Sequence, residues 1–342
     1  MITGQEFIND LKAKRTLASI YVVVGQEQYL IRQIKKTLIN LIPPEEQQLN
    51  IGQYDMEEVS LTTALEDALT LPFFGEKRLV LIENAYFLTG ETKKGKIEHD
   101  LGALEQYLMA PEVTSSVVFF VPAEKLDKRK KVVKLLLKNA IIVDNAPLDE
   151  KQIKNYLNKY LAGTSFQFQP AACEALILRT NANLALIMNE LKKLMIAKKD
   201  DKLITLKDVE ELVAVALEQD VFNLITLVLR KDFGKALNFY QELLLQKNEP
   251  LKLNALLVSQ FRLLLQVKIL HQKGYLQGTI VQELKVHPYR VQLALKQVQK
   301  FSLFNLQAAY LGLIKAEEKL KSTPQAPEMI FEMFLFEYCN PD

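Results

Sequence analysis

Short apolar runs punctuate the first 145 residues, each bounded by polar or turn-forming positions. IYVVV (20–24), RLVLIEN (78–84), SVVFFV (116–121) and AIIVDN (140–145) have the length and the β-branched or aromatic content of buried strands. LNIGQYD (49–55) is a weaker fifth. Between them, 28–41 and 128–137 carry helical patterns. Strand–helix alternation predicts a parallel sheet covered by helices. After Ala146-Pro147 the strand signals nearly vanish. Residues 148–213 read as short helices, with Asp149 capping KQIKNYLNKYL and Thr205 capping a helix with an acidic first turn. From about 220 the chain is almost wholly helical, and FRLLLQVKIL and YLGLIKAEEKL show the broad apolar faces of helices packed on one another or on neighbouring subunits. The expected fold class is α/β plus all-α, divided at 1–145, 146–215 and 216–342.

Composition narrows the function classes without choosing one. A chain of 342 residues has room for two or three cores, and a net charge of +2 supplies no global basic field, so any nucleic-acid contact must come from a local patch. Two cysteines, Cys173 and Cys339, can build neither a disulfide framework nor a four-cysteine zinc site. The charged N-terminus does not read as a signal peptide, and no run approaches the roughly 18 apolar residues that argue for a membrane span. A cytoplasmic protein without membrane contact is expected.

Candidate chemistry is sparse. Gly25, between a strand and a helix, invites a phosphate-loop reading. That loop needs G-x-x-x-x-G-K-[ST], whose glycines let backbone N–H groups wrap the phosphates while the lysine and hydroxyl hold phosphate and magnesium. Counted from Gly25, the last three positions are Leu30, Ile31 and Arg32, so Gly25 reads as a turn residue. The strand ending at Glu83-Asn84 offers one acid where an acidic pair is needed. His99, His271 and His287 are scattered, without cysteine or acidic partners at ligand spacing, and no G-x-S-x-G motif occurs. Neither a catalytic constellation nor a cofactor or metal site is expected.

Two features remain. Lys128, Arg129, Lys130, Lys131 and Lys134 gather at the start of a helix, where positive charge opposes the macrodipole. They form either a solvated face or a contact for DNA phosphates. Leu71-Pro72-Phe73-Phe74 places two rings at a turn, where they either fold into the core or wait for a partner.

Taken in order, VVVGQEQYLI, LPFFGEKRLVLIEN, EKLDKRKKVVK, NLALIMNELKKL, EQDVFNLITLVL, SQFRLLLQVKIL and KAEEKLKST resemble the delta subunits of bacterial DNA polymerase III, components of the sliding-clamp loader. The likeness runs over nearly the whole chain. It implies an AAA+-type first domain lacking a functional phosphate loop, a small helical lid-type domain and a helical collar domain. The related gamma/tau and delta-prime subunits carry a cysteine zinc group and a Ser-Arg-Cys motif. This chain has Leu126-Asp127-Lys128-Arg129 after its fourth strand instead, which favours delta.

The resemblance further implies a subunit of a polymerase holoenzyme with no catalytic site of its own. Its partners would be the beta sliding clamp, the gamma/tau and delta-prime subunits, and primed DNA. An apolar wedge would open one clamp interface. That wedge falls on Phe73 and Phe74, supported by Leu71 and Pro72, with Phe74 expected to insert most deeply. A diverged AAA+ ATPase and a DNA-repair scaffold are the alternative readings.

Overall fold

The computed structural model describes residues 1–90 and 97–340, in two compact units, Met1–Pro147 and Leu148–Asp342. In the first unit, β1 (Ile2–Thr3) leads into α1 (Gly4–Lys14), followed by β2 (Ile20–Val24) and α2 (Gln28–Ile39). A short α3 (Gln47–Asn50) precedes β3 (Ile51–Asp55), and α4 (Leu61–Ala68) precedes β4 (Arg78–Glu83). Then come α5 (Leu101–Met109), β5 (Ser115–Val121), α6 (Lys131–Asn139) and β6 (Ile141–Asp144).

The six strands form one sheet in the order β1-β6-β2-β5-β4-β3, and every pairing is parallel. Val22 lies beside Phe119 and Ile142, and Ile82 flanks Phe119 on its other side. All residues of β2 and β5 are buried, as a sheet covered on both faces requires. On one face, Leu61 and Leu65 of α4, Leu104 and Leu108 of α5, and Val133 and Leu136 of α6 pack against Val22, Val80 and Phe119. Because all strands run the same way, every loop entering a strand lies at one end of the sheet and every loop leaving one at the other.

The five expected strands are present, with ends shifted by at most two residues. The sixth, β1, has two residues, too few to show a period. The helix expected from 128 begins at Lys131. The Asp127 side chain accepts the Arg129 backbone N–H at 3.1 Å, and this turn competes with helix through Lys130, which is extended.

The second unit opens with α7 (Glu150–Ala162), where Asp149 and Gln152 form a capping box. A two-stranded parallel ribbon that the pattern does not reveal, β7 (Gln167–Phe168) with β8 (Leu203–Ile204), brackets α8 (Pro170–Arg179) and α9 (Leu184–Ala197). Thr205 then caps α10 (Leu206–Leu212) through Asp208. The remainder is helical: α11 (Leu217–Leu229), α12 (Phe233–Leu245), α13 (Pro250–Gln272), α14 (Gln277–Leu284), α15 (Pro288–Val298), α16 (Leu303–Ser322) and α17 (Pro327–Cys339).

Helix α13 is the axis of this core, with Leu253, Leu257, Phe261, Leu264 and Val267 all buried. At 23 residues it is long and apolar enough to cross a membrane, which corrects the expectation that no segment approaches a span. Its apolarity has a local cause. Neighbouring helices contact it on several sides, so little of its circumference is left for polar residues.

Candidate functional site

The entering end of the sheet carries the paired phenylalanines. Helix α4 starts at Ser60, whose hydroxyl accepts the Thr63 N–H, and buries Leu61, Ala64, Leu65 and Ala68. It stops at Leu69, beyond the reach of the core, and Pro72 lies three residues on. Leu71, Phe73 and Phe74 are 70%, 54% and 88% exposed, far outside what their side chains reach in a core. Pro72 is half-buried at their base. The two rings meet edge to face, centroids 4.6 Å apart and planes at 76°.

The exposed rings stand on an ordered loop. The Phe73 N–H donates to Asn50 Oδ1 at 2.6 Å, and Asn50 Nδ2 donates back to the Phe73 carbonyl at 2.9 Å. Phe74 holds a left-handed φ of 57°, uncommon for any residue with a Cβ. At Gly75, the next residue, a Cβ would lie 2.1 Å from Glu46 Oε2. The base of the loop is closed by an ion pair between Arg78 and Asp67, and Lys77 donates to the Val113 carbonyl at 2.7 Å. A cleft of about 710 Å³ adjoins Phe74, lined among others by Arg15, Leu17, Ile42, Pro43 and Glu46. Met109 and Val113, just before β5, are also exposed apolar residues.

The leaving end is occupied by the chain's own groups. Gly25 has φ 141°, and a Cβ on it would lie 2.0 Å from the Asn145 carbonyl oxygen. Its N–H donates to Val121, and the Glu27 N–H donates to Asn145, so neither is directed at a ligand. The Glu27 carboxylate caps α2 by accepting the Tyr29 N–H at 3.1 Å, which places an anion of the protein where a phosphate loop would receive one. Burial pushes this carboxyl above its ordinary range, partly offset by the Tyr29 bond. Glu83 pairs with Lys35 at 2.5 Å, and the Asn84 amide donates to both oxygens of Asp55.

The basic cluster is less free than its charge suggests. Arg129 binds Asp127 through two bonds of 2.9 Å, and this guanidinium holds the Asp127 carboxyl down at about 2. Lys130 Nζ donates to the Phe87 carbonyl at 2.8 Å, and Lys131 pairs with Glu105 at 2.6 Å. Lys128 and Lys134 are exposed.

The histidines have structural surroundings. His99 accepts the Leu61 N–H and bonds the Tyr86 hydroxyl, while His287 caps α15. No group of three metal-ligating side chains occurs among the described residues.

Asn50, Asp67, Gly75 and Arg78 escape sequence reasoning. Asn50 sits 23 residues from its partner, and nothing local marks a buried amide.

Comparison with known proteins adds to this geometry. Residues 21–146 match the family model for the DNA polymerase III delta subunit, and residues 218–338 match the model for its C-terminal domain. DNA polymerase III subunit delta of Bacillus subtilis is 37% identical over 93% of this chain and 92% of its own length. A probable DNA polymerase III subunit delta of Aquifex aeolicus is 28% identical over 75% of this chain and 72% of its own. The solved Bacillus subtilis DNA clamp loader delta protein superposes with a TM-score of 0.82 at 36% identity, over 98% of this chain and 99% of that one. With family matches in both units and a relative aligned along nearly its whole length, the chain belongs to the DNA polymerase III delta subunit family.

Proposed function

We propose that this chain binds the beta sliding clamp through Phe73 and Phe74 and opens one interface of the ring, so that the clamp is loaded on primed DNA. The observation that carries the reading is a pair of rings, 54% and 88% exposed, on a loop bonded into the protein at both ends. Burying one phenylalanine contributes roughly 1.5–3 kcal/mol, and a pre-shaped loop loses little of that to ordering. Two adjacent rings therefore suffice for an interface hot spot. Phe74, the more exposed ring, inserts most deeply, while Leu71 extends the apolar contact and Pro72 stiffens its base.

The chain works without a nucleotide of its own, as a non-catalytic subunit of the polymerase holoenzyme. The self-filled crevice beyond β2 and β4 supports this. ATP bound by gamma/tau subunits would then control the assembly, with delta-prime a further partner. The segment 146–215 forms a lid-type domain and 216–342 the collar that joins these subunits. Exposed Phe304 and Leu311 of α16 and Phe336 of α17 support an interface there. Lys128, Arg129, Lys130 and Lys131 form a secondary contact with DNA phosphates, weakened by their internal partners.

Clamp release from closed circular DNA tests the reading. The purified chain should unload fluorescent clamp without ATP, and the Phe73→Ala/Phe74→Ala variant should not. Release by both proteins alike, or by neither, overturns it.

A further inference from the structure

We infer that Asn50 is the positioning residue of the clamp-binding loop, its buried carboxamide holding Phe73 and Phe74 in the conformation that binds, a role that rests on the clamp-binding reading above. Asn50 is 0% exposed although it is an amide, and both ends of that amide engage the backbone of Phe73. Its N–H is also 3.4 Å from Glu46 Oε2. Such a two-way bond fixes the orientation of the backbone at Phe73 as a neighbouring strand would, at a place where no strand reaches. The residue that follows, Phe74, then adopts a φ of 57°, a conformation that persists only where the surroundings over-determine it.

Three further restraints converge on the same turn. The Asp67–Arg78 ion pair joins the residues on either side of the loop, with side chains only 13% and 15% exposed. Arg78 also donates to the Leu49 carbonyl, beside Asn50, at 3.2 Å. A Cβ at Gly75 would lie 2.1 Å from Glu46 Oε2 and 3.0 Å from Asn50 Nδ2, so the loop passes close over both side chains. These restraints fix where the loop starts and ends. Asn50 instead bonds the backbone of Phe73, the first of the two ring-bearing residues between them.

Without the amide, Phe73 and Phe74 would exchange among conformers, most of which do not present both rings together. Apparent affinity falls in proportion to the fraction of chains in the competent conformer, so a fall to one-tenth weakens binding about tenfold. The deficit belongs to association, because the bound loop makes the same contacts with the clamp.

The test uses the full chain and sliding clamp, with binding kinetics and melting temperature measured for Asn50→Ala, Phe74→Ala and the double variant. Asn50→Ala should bind about tenfold more weakly, chiefly through a slower association rate, once corrected for the folded fraction. Its effect should be smaller in the Phe74→Ala background, because part of it acts through that ring and the remainder through Phe73. A purely structural role would leave the association rate of folded chains unchanged and the two losses additive, and either result overturns the inference. Should Asn50→Ala fail to fold, Asn50→Asp, which keeps the acceptor for the Phe73 N–H and loses the donor to its carbonyl, should slow association likewise. Unchanged association in Asn50→Asp would then contradict it. If Phe73→Ala/Phe74→Ala leaves clamp affinity intact, the clamp-binding reading falls first and takes the inference with it, whereas failure of the Asn50 arm alone leaves that reading standing.

Discussion

The two ends of the same parallel sheet are finished in opposite ways. Beyond the carboxyl ends of the strands, where open α/β sheets ordinarily bind ligands, the protein satisfies itself. Gly25 lies against Asn145, Glu27 caps α2, Asn84 donates to Asp55 and Lys35 pairs with Glu83. At the amino ends, the loop before β4 holds Phe73 and Phe74 out in solvent on a buried amide and an ion pair. Polar groups turn inward at one end, and apolar groups turn outward at the other. Large exposed rings on an ordered loop point to a partner more strongly than exposure alone.

The contrast can be broken most forcefully at Gly25. Gly25→Ala should destabilise the first unit by about 3 kcal/mol or more, because it combines a positive φ with a backbone clash. That corresponds to a drop in melting temperature of roughly 10 °C by calorimetry. Clamp affinity of the chains that remain folded should not change, since the site is at the other end of the sheet. The rings should respond the other way. Phe74→Ala should cost about 2–4 kcal/mol of clamp binding and Phe73→Ala about 1–2, with stability in each altered by no more than about 0.5 kcal/mol. A larger loss from Phe73→Ala, measured by titration calorimetry, would reverse the assignment of Phe74 as the deeper ring, and equal losses would remove it.

A smaller effect separates stability from binding through pH. Burial, and then the nearby Arg290, hold the pKa of His287 below its ordinary 6.5, while Asp149 pulls it up. The unfolded chain therefore takes up the proton first as pH falls. The stability linked to His287 is fully present above pH 6.5 and declines between 6.5 and its lower folded value. In His287→Asn, which keeps a capping side chain, this part of the acid-induced loss of melting temperature should disappear, leaving that of His99, which burial also lowers. Clamp binding should not share the dependence.

The smallest change is expected at the basic cluster. Lys130→Glu/Lys131→Glu should lower DNA affinity at low salt and flatten its salt dependence by about one unit for each phosphate no longer neutralised. Unchanged affinity would remove the cluster from the DNA-binding surface.

Much of this was legible in the chain, for local reasons. The strands at 20–24 and 78–84 announce themselves because a sheet covered on both faces demands uninterrupted apolar runs. Asp149 and Thr205 are readable as caps because their partners lie three residues away. The mismatch of Leu30, Ile31 and Arg32 with a phosphate loop is likewise a matter of adjacent positions, and two of them, Leu30 and Ile31, turn out to be core residues of α2.

What could not be read is what depends on distant partners. Asn50 and Phe73 are 23 residues apart, and Ile2 and Thr3 pair with Val143 and Asp144 at the far end of the first unit. The basic run looked like one feature of charge. Two of its five basic residues, Lys130 and Lys131, have distant partners, Phe87 and Glu105, that only the folded chain brings near, while Arg129 is held by Asp127 two residues away. The rings themselves were visible as an apolar turn, but their exposure was not, because a turn can equally tuck its side chains inward.

Hydrogen exchange of the chain alone and with saturating sliding clamp tests the central contrast most directly. Binding through the two rings should bring new amide protection over residues 70–77, extending to 15–17 and 41–46 around the adjoining cleft, with exchange at 25–29 and 84–90 unchanged. Protection centred on 25–29 and 84–90, with 70–77 unaffected, would contradict it.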